Sequence, residues 1–470
     1  ASDVYKRQWL KNADEPSRKA AVVLKSGKSS SEWILSENES SPRFEQHARK
    51  GSFCFLPISA NNSEEFLKKL GELEKDPELL EYPKNFQYRA FQDFQNTDAE
   101  FSMVLLAENP SKLKEEIIQA QKSVSRCFED GKDWQTPSGS FFTTKPLGQE
   151  KIAFVYPGGF NTYVGSGNSL FEMDPELHER SLSYSSTIKT LLHPEFLFPQ
   201  SPSIQSEEEL KQLQQQFYDS PNPMFESGIS SAVLATQVMR NAFGIEPHAA
   251  FGYSMGEVSM LFSLGVWGSM DPMSEVLNAS PLFHERIAGP MNSVREYWKL
   301  KDTDFQNESL WNWYTLRAEP ELVAKALEKR ERVYLVLINT PQEVVIAGEP
   351  SACKELIEEL KCESHEIPVT DVVHCPPVQS EYEEIKKVHT NKVVDKPKID
   401  FFSAADYTTT KLDSEILADN IARFYGRTVD FSKLVEEVYR SGARIFIDMG
   451  PRSSCALSLI HISEPTRLHV

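Results

Sequence analysis

Gly252-Tyr253-Ser254-Met255-Gly256-Glu257 constrains the fold of this chain more than any other stretch. It follows the apolar run His248-Ala-Ala-Phe251 and opens the helical pattern Val258 to Leu264, so the serine falls at a strand-to-helix turn. That is the setting a nucleophile elbow needs. Flanking glycines allow the tight turn that lifts Ser254 Oγ out of a sheet, and Gly256 leaves room for strand and helix to pack closely. The helix start brings amide N–H groups and a positive dipole end near the oxyanion that attack by Ser254 creates. Gly265 is placed to end this helix, and Glu257 reads as a first-turn carboxylate favoured by the dipole rather than as a catalytic acid. The bland alternative is an ordinary glycine-rich turn.

The two ends of the chain are related to each other. Asp3 to Gln8 can be encoded by GATGTGTATAAGAGACAG, and the reverse complement of that string reads Leu457 to Ile462. The string also matches a transposase adapter used in preparing sequencing libraries. Residues 1–8 and 457–470 are therefore read as adapter-derived scars and left out of fold reasoning. On this expectation the native piece runs from about Trp9 to Ala456 and is cut at both ends.

A chain of 470 residues with 40% hydrophobic content supports two or three domains, each with its own core. No run approaches the roughly 20 apolar residues of a membrane-spanning helix, and cytoplasm is the default location. A formal charge of −19 argues against nucleic acid or an anionic membrane as the main partner. Cys54, Cys127, Cys353, Cys362, Cys375 and Cys455 form no CxxC pair and no zinc spacing with histidines, so they read as reduced thiols and no metal is expected.

Along the chain, Glu32 to Leu35 is a short strand-like run followed by the polar stretch Ser36 to Lys50. Phe53 to Ile58 reads as a strand, and Ser63 to Leu73 as a helix capped near Ser63. Phe101 to Leu106 and the helix Ser111 to Ser125 repeat that order, giving a small α/β module over Gly51 to about Thr144. From Lys151 a larger α/β pattern begins: strand Ile152 to Tyr156, a glycine-rich loop, the helix Phe225 to Phe243, then the elbow. Tyr314 to about Pro368 alternates strand and helix as a compact inserted subdomain, with Val333 to Ile338, Glu343 to Ala347 and the helix Ser351 to Leu360. The pattern then returns through Ile399 to Ser403, the helix Phe431 to Ser441 and the strand Arg444 to Asp448. No internal repeat is present.

A serine nucleophile needs a base. The best candidate is His374 in Val372-Val-His374-Cys-Pro-Pro, whose neutral imidazole can take the Ser254 proton and return it to a leaving group. The structural alternative is a histidine that merely shapes a proline turn; His248, His284 and His365 fit such roles better. Pro157-Gly158-Gly159-Phe160, directly after a strand, can offer an amide to the oxyanion, so Gly159 and Met255 are the expected donors. A phosphate-binding reading of this loop lacks the GxxxxGK[ST] lysine.

Together these segments resemble the acyltransferase family of malonyl-CoA:acyl-carrier-protein transacylases and of polyketide and fatty-acid synthases, over about Lys151 to Ala456. Phe154 to Gly165 is similar to that family's FVFPGQGSQYVG, and Gly252 to Glu257 to its GHSxGE. Asn339 to Gly348 is similar to NxPxQxVxSG, Val373-His374-Cys-Pro to FHSP, and Phe446 to Pro451 to FxEVGP. Ser17 to Leu35 resembles the end of a ketosynthase, and Gly51 to Thr144 the linker that joins ketosynthase to acyltransferase. The wording GYSMGE, the Gly265-Val-Trp267 that follows and Ser280 to Arg286 look closest to multienzyme polyunsaturated-fatty-acid synthases.

The resemblance implies an α/β fold: a large acyltransferase domain over 151–456 with a parallel sheet and nucleophile elbow, and an inserted ferredoxin-like subdomain over about 314–368. A small α/β linker domain over 51–144 precedes it, after a ketosynthase-like remnant over 9–40. It implies no bound cofactor, acyl-CoA as donor, carrier-protein phosphopantetheine as acceptor, and an acyl-carrier protein and other synthase domains as partners. Arg295, Lys299 and Lys301 are candidates for docking an acidic carrier. Three departures bear on specificity. Gly159 stands where the family has Gln, Tyr253 where it has His, and Asp371-Val-Val before His374 matches neither the malonyl-type HAF nor the methylmalonyl-type YAS. Where the family places a carboxylate-binding Arg this chain offers Ala279; Arg286 is the nearest substitute, or else an ion-pair partner of Glu285. Asn339 is expected at the substrate. Two other functions stay open: hydrolysis of an acyl thioester on the same Ser254–His374 pair, and a non-catalytic docking module.

Overall fold

The computed structural model describes residues 19–26, 29–36, 53–148, 150–159, 161–167, 170, 177–186, 193, 196–197, 207–301, 309–369 and 371–463. They fall into two compact units, one within Arg43–Gln149 and the other within Glu150–Val470 together with an N-terminal hairpin. In that hairpin Lys19–Ser26 pairs antiparallel with Ser29–Ser36, which is longer than the run expected at Glu32 to Leu35. The expected scar over 1–8 and most of the polar stretch 36–50 lie outside the described residues.

Within Arg43–Gln149 an antiparallel sheet runs in the order Cys54–Ala60, Phe101–Ala107, Phe141–Phe142, Trp134–Gln135. Helices Ser63–Lys75 and Pro110–Asp130 bury Phe66, Leu70, Leu113 and Ile117 with Leu56, Ile58, Met103 and Leu105 of the strands. The first helix is capped one residue earlier than expected. Asn62 Oδ1 accepts from the Glu65 amide at 2.9 Å, and Glu65 reaches back to the Asn61 amide at 2.9 Å. The helix Pro83–Asn96 has no counterpart among the expected elements; its proline occupies the first helical position, where a missing N–H removes no bond.

The larger unit is built on a five-stranded sheet in the order Thr408–Thr409, Asp400–Ser403, Ala249–Gly252, Lys151–Tyr156, Ala443–Asp448, parallel except for the first pair. Ala249–Gly252 is buried at every position, and so is Ala153–Tyr156, because helices cover both faces of a parallel sheet. This explains why these strands read as continuous apolar runs rather than as alternating ones. Helix Pro221–Gln237 widens into a π-type turn over Val238–Ala242 before the elbow strand.

The inserted subdomain follows the order strand Asn312–Leu316, helix Pro320–Leu327, strands Val333–Thr340 and Glu343–Gly348, helix Pro350–Leu360, strand Ser364–Ile367. Spatially the last strand lies beside the first, then the third and the second, which is the ferredoxin-like arrangement. Val429–Asp430 of the large domain adds to its far edge in parallel with Leu337 and Ile338.

Candidate active site

The elbow forms because two positions tolerate no side chain. A Cβ on Gly252 would lie 2.0 Å from the Glu257 amide nitrogen, and one on Gly256 2.0 Å from the Tyr156 carbonyl oxygen. Between them Ser254 takes a left-handed backbone with φ +56°, and the helix Gly256–Ser263 starts at once. Gly265, at φ +75°, ends it. Glu257 is buried and accepts from Ser403 Oγ at 2.6 Å and the Ala404 amide at 3.0 Å, tying the first turn to the end of the neighbouring strand. Burial pushes its carboxyl up to about 7 despite these bonds.

His374 approaches from the chain that leaves the inserted subdomain. Its backbone is also left-handed, at φ +59°, and its amide donates to the Tyr425 carbonyl at 2.6 Å. The ring is 1% exposed, and its Nδ1 lies 2.9 Å from the Phe424 carbonyl. A carbonyl can only accept, so Nδ1 carries the proton and Nε2 is left as an acceptor. Ser254 Oγ lies 2.7 Å from that Nε2 and donates to it. Phe424 and Tyr425 close the helix Ser414–Tyr425, whose last carbonyls have no partner within the helix and are used here to seat the imidazole. Burial lowers the His374 pKa to about 4, partly offset by the bond to Phe424, so the ring is neutral at pH 7.

A cavity of about 600 Å³ opens on this pair, lined also by Gly159, Met255 and Asn339. Among the described residues, neither the Gly159 nor the Met255 amide donates to another backbone carbonyl. Asn339 reaches the cavity but is already engaged. Its Oδ1 accepts from Tyr253 Oη at 2.7 Å and its Nδ2 donates to Glu343 at 2.8 Å, so it fixes the residue before Ser254. The Tyr253 ring fills the space beside Gly158, where an added Cβ would come within 2.8 Å of it.

Arg286 requires a correction. It does not line the cavity, and its guanidinium is held by Glu296 at 2.6 and 2.7 Å and by Glu381 at 2.6 and 3.1 Å, not by Glu285. With two carboxylates already bound, it is not disposed to take a third. The three histidines set aside from the sequence are held elsewhere: His248 Nδ1 accepts from the Ile152 amide at 3.2 Å, His284 contacts Asn222 at 3.2 Å, and His365 lies 3.5 Å from Glu363. Sequence reasoning missed the Phe424 carbonyl, which no residue type announces. It also missed buried His389, whose Nδ1 donates to the Ile385 carbonyl at 2.8 Å. Leu457, Ser458 and His461, from the segment that mirrors the N-terminus, also border the cavity, and no role is assigned to them.

No family model matches the chain. It is 26% identical, over 99% of its length, to a polyunsaturated fatty acid synthase polypeptide of Thraustochytrium sp., and spans 24% of that protein. It is 24% identical over 64% of its length to the malonyl CoA-acyl carrier protein transacylase of Bacillus subtilis, covering 87% of that enzyme. Among solved structures, the acyl transferase domain of ZmaA superposes with a TM-score of 0.66 at 15% identity, over 89% of this chain and 87% of that one. In sequence and in fold the chain is similar to acyltransferase domains, malonyl-CoA:acyl-carrier-protein transacylase-like, of polyunsaturated-fatty-acid and polyketide synthases.

Proposed function

We propose that the chain moves an acyl group from acyl-CoA to the phosphopantetheine thiol of an acyl-carrier protein through a Ser254 acyl-enzyme. The 2.7 Å contact from Ser254 Oγ to His374 Nε2, at the wall of a cavity large enough for a thioester, carries this reading. Ser254 Oγ attacks the thioester carbon while Nε2 takes its proton, and the carbonyl oxygen becomes an oxyanion held by the Gly159 and Met255 amides. The C–S bond then breaks, the acyl group stays on Oγ, and the imidazolium returns its proton to the departing CoA thiolate. A carrier thiol repeats these steps in reverse, giving the acylated carrier and free Ser254. The Phe424 carbonyl orients the ring and favours its protonated form in the transition state. Acyl-CoA and the carrier arm enter as substrates, and the chemistry needs no resident cofactor.

Residues 9–40 are proposed as the end of a ketosynthase-like domain, 51–144 as the linker domain and 151–456 as the acyltransferase domain. Likeness to the Thraustochytrium synthase along the whole chain supports this layout, and other domains of such a synthase are the expected partners. Arg295, Lys299 and Lys301 are the candidates for meeting the carrier. Mass spectrometry of the protein with acyl-CoA and holo carrier tests the function. An adduct on Ser254 that passes to the carrier supports transfer, and Ser254→Ala abolishes it. Free acid as the dominant product would reject transfer in favour of hydrolysis.

A further inference from the structure

We infer that the cavity selects an uncharged acyl group over a dicarboxylic one of the malonyl type, an inference that rests on the Ser254 acyl-enzyme reading. The apolar part of its wall includes Met224, Phe225, Phe283, Trp313, Val369 and Tyr425. The charged side chains it adds are chiefly acidic: Glu343 and Asp371 both line it. The one guanidinium or ammonium group among the described lining residues is that of Arg452. Arg452 is exposed, lies over the Tyr163 ring at 5.4 Å, and donates to Tyr218 Oη at 3.1 Å. Arg286, the other nearby candidate by sequence, is held by Glu296 and Glu381 outside the cavity.

A carboxylate at the end of the acyl group would leave water, meet a mostly apolar wall and face two groups of its own sign, while the one guanidinium among the described lining residues, that of the exposed Arg452, is engaged with Tyr218 and Tyr163. A methyl-ended chain meets the same wall favourably. Gly159 adds room, since a Cβ there would meet nothing within 4 Å. Loading is the step already described: the Ser254 Oγ–carbon bond forms, the carbon–sulfur bond breaks, and His374 passes the serine proton to the CoA thiolate. The selection acts on the far end of the acyl group, away from the atoms that react.

The test follows Ser254 adduct formation on the full chain with acetyl-, hexanoyl-, malonyl- and methylmalonyl-CoA. The uncharged donors are expected to load at least about 100-fold faster than malonyl-CoA. Asp371→Asn should narrow that gap by about 3-fold or more, because it removes one like charge. Malonyl loading as fast as or faster than the uncharged donors overturns the inference, and a gap unmoved by Asp371→Asn overturns its electrostatic basis. If no donor leaves an adduct on Ser254, the acyl-enzyme reading falls and takes this inference with it. A malonyl preference leaves the acyl-enzyme reading intact, so the two failures are distinct.

Discussion

The Phe424 carbonyl accepts the Nδ1–H of His374 at 2.9 Å, and this bond decides which ring nitrogen faces Ser254. Burial and a fixed tautomer together give an imidazole that stays unprotonated down to a pH of about 4. Acylation of Ser254 is therefore expected to show no break near pH 6.5, where an exposed histidine titrates. His374→Ala should slow adduct formation by about 100-fold or more. A pH–rate profile measured by quenched mass spectrometry checks both; a clear inflection at 6.5 that vanishes in the variant would contradict the buried, neutral base.

Gly256→Ala puts a methyl 2.0 Å from the Tyr156 carbonyl oxygen, and the nearest atoms it meets, of Tyr156 and Pro157, are all backbone. Strand and helix must move apart, so stability is expected to drop by roughly 3 kcal/mol or more. Acylation should fall with it, since Ser254 rides on the same turn. Urea unfolding together with Ser254 labelling at matched folded fraction separates the two effects.

Arg286→Ala leaves the buried Glu381 carboxylate without its cation. We expect a loss of roughly 1–3 kcal/mol, the penalty of an uncompensated buried acceptor reduced by the partial exposure of the arginine. The ratio of malonyl to hexanoyl loading should not change, because Arg286 lies outside the cavity. A shifted ratio would return it to the substrate site.

Glu257 has a carboxyl raised from 4.5 to about 7 by burial. Between those values the folded chain holds a proton that the unfolded chain has released, so its contribution to stability is full below pH 4.5 and fades as pH rises towards 7. Glu257→Gln removes this titration. Unfolding free energies at pH 5 and pH 8 should therefore differ less in the variant than in the wild type, with the variant gaining relative ground at pH 8.

The elbow was legible because its geometry forces residue choice: two glycines and a serine within a few positions leave few other folds for the strand and helix around them. His374 was legible for the converse reason, since few side chains can serve as a base and this one follows the inserted subdomain. Its orienting group was not, because a main-chain carbonyl at a helix end has no signature in side-chain identity. Arg286 shows a second limit. Its charge is plain in the sequence, yet Glu381, 95 positions away, decides where the guanidinium points. Asn339 stood at the expected place with a different task, since the Tyr253 hydroxyl had claimed it first. Pro83 opens a helix for which no element was named from the sequence.

The Tyr253–Asn339 hydrogen bond spans the boundary between the elbow and the inserted lobe. Exchanging that lobe for a relative's, to alter which chains are accepted, would leave both anchors of the imidazole, Phe424 and Tyr425, in the recipient. It would take away the acceptor of the phenol. A chimaera must therefore bring an oxygen at position 339, or it will inherit a stranded hydroxyl next to Ser254.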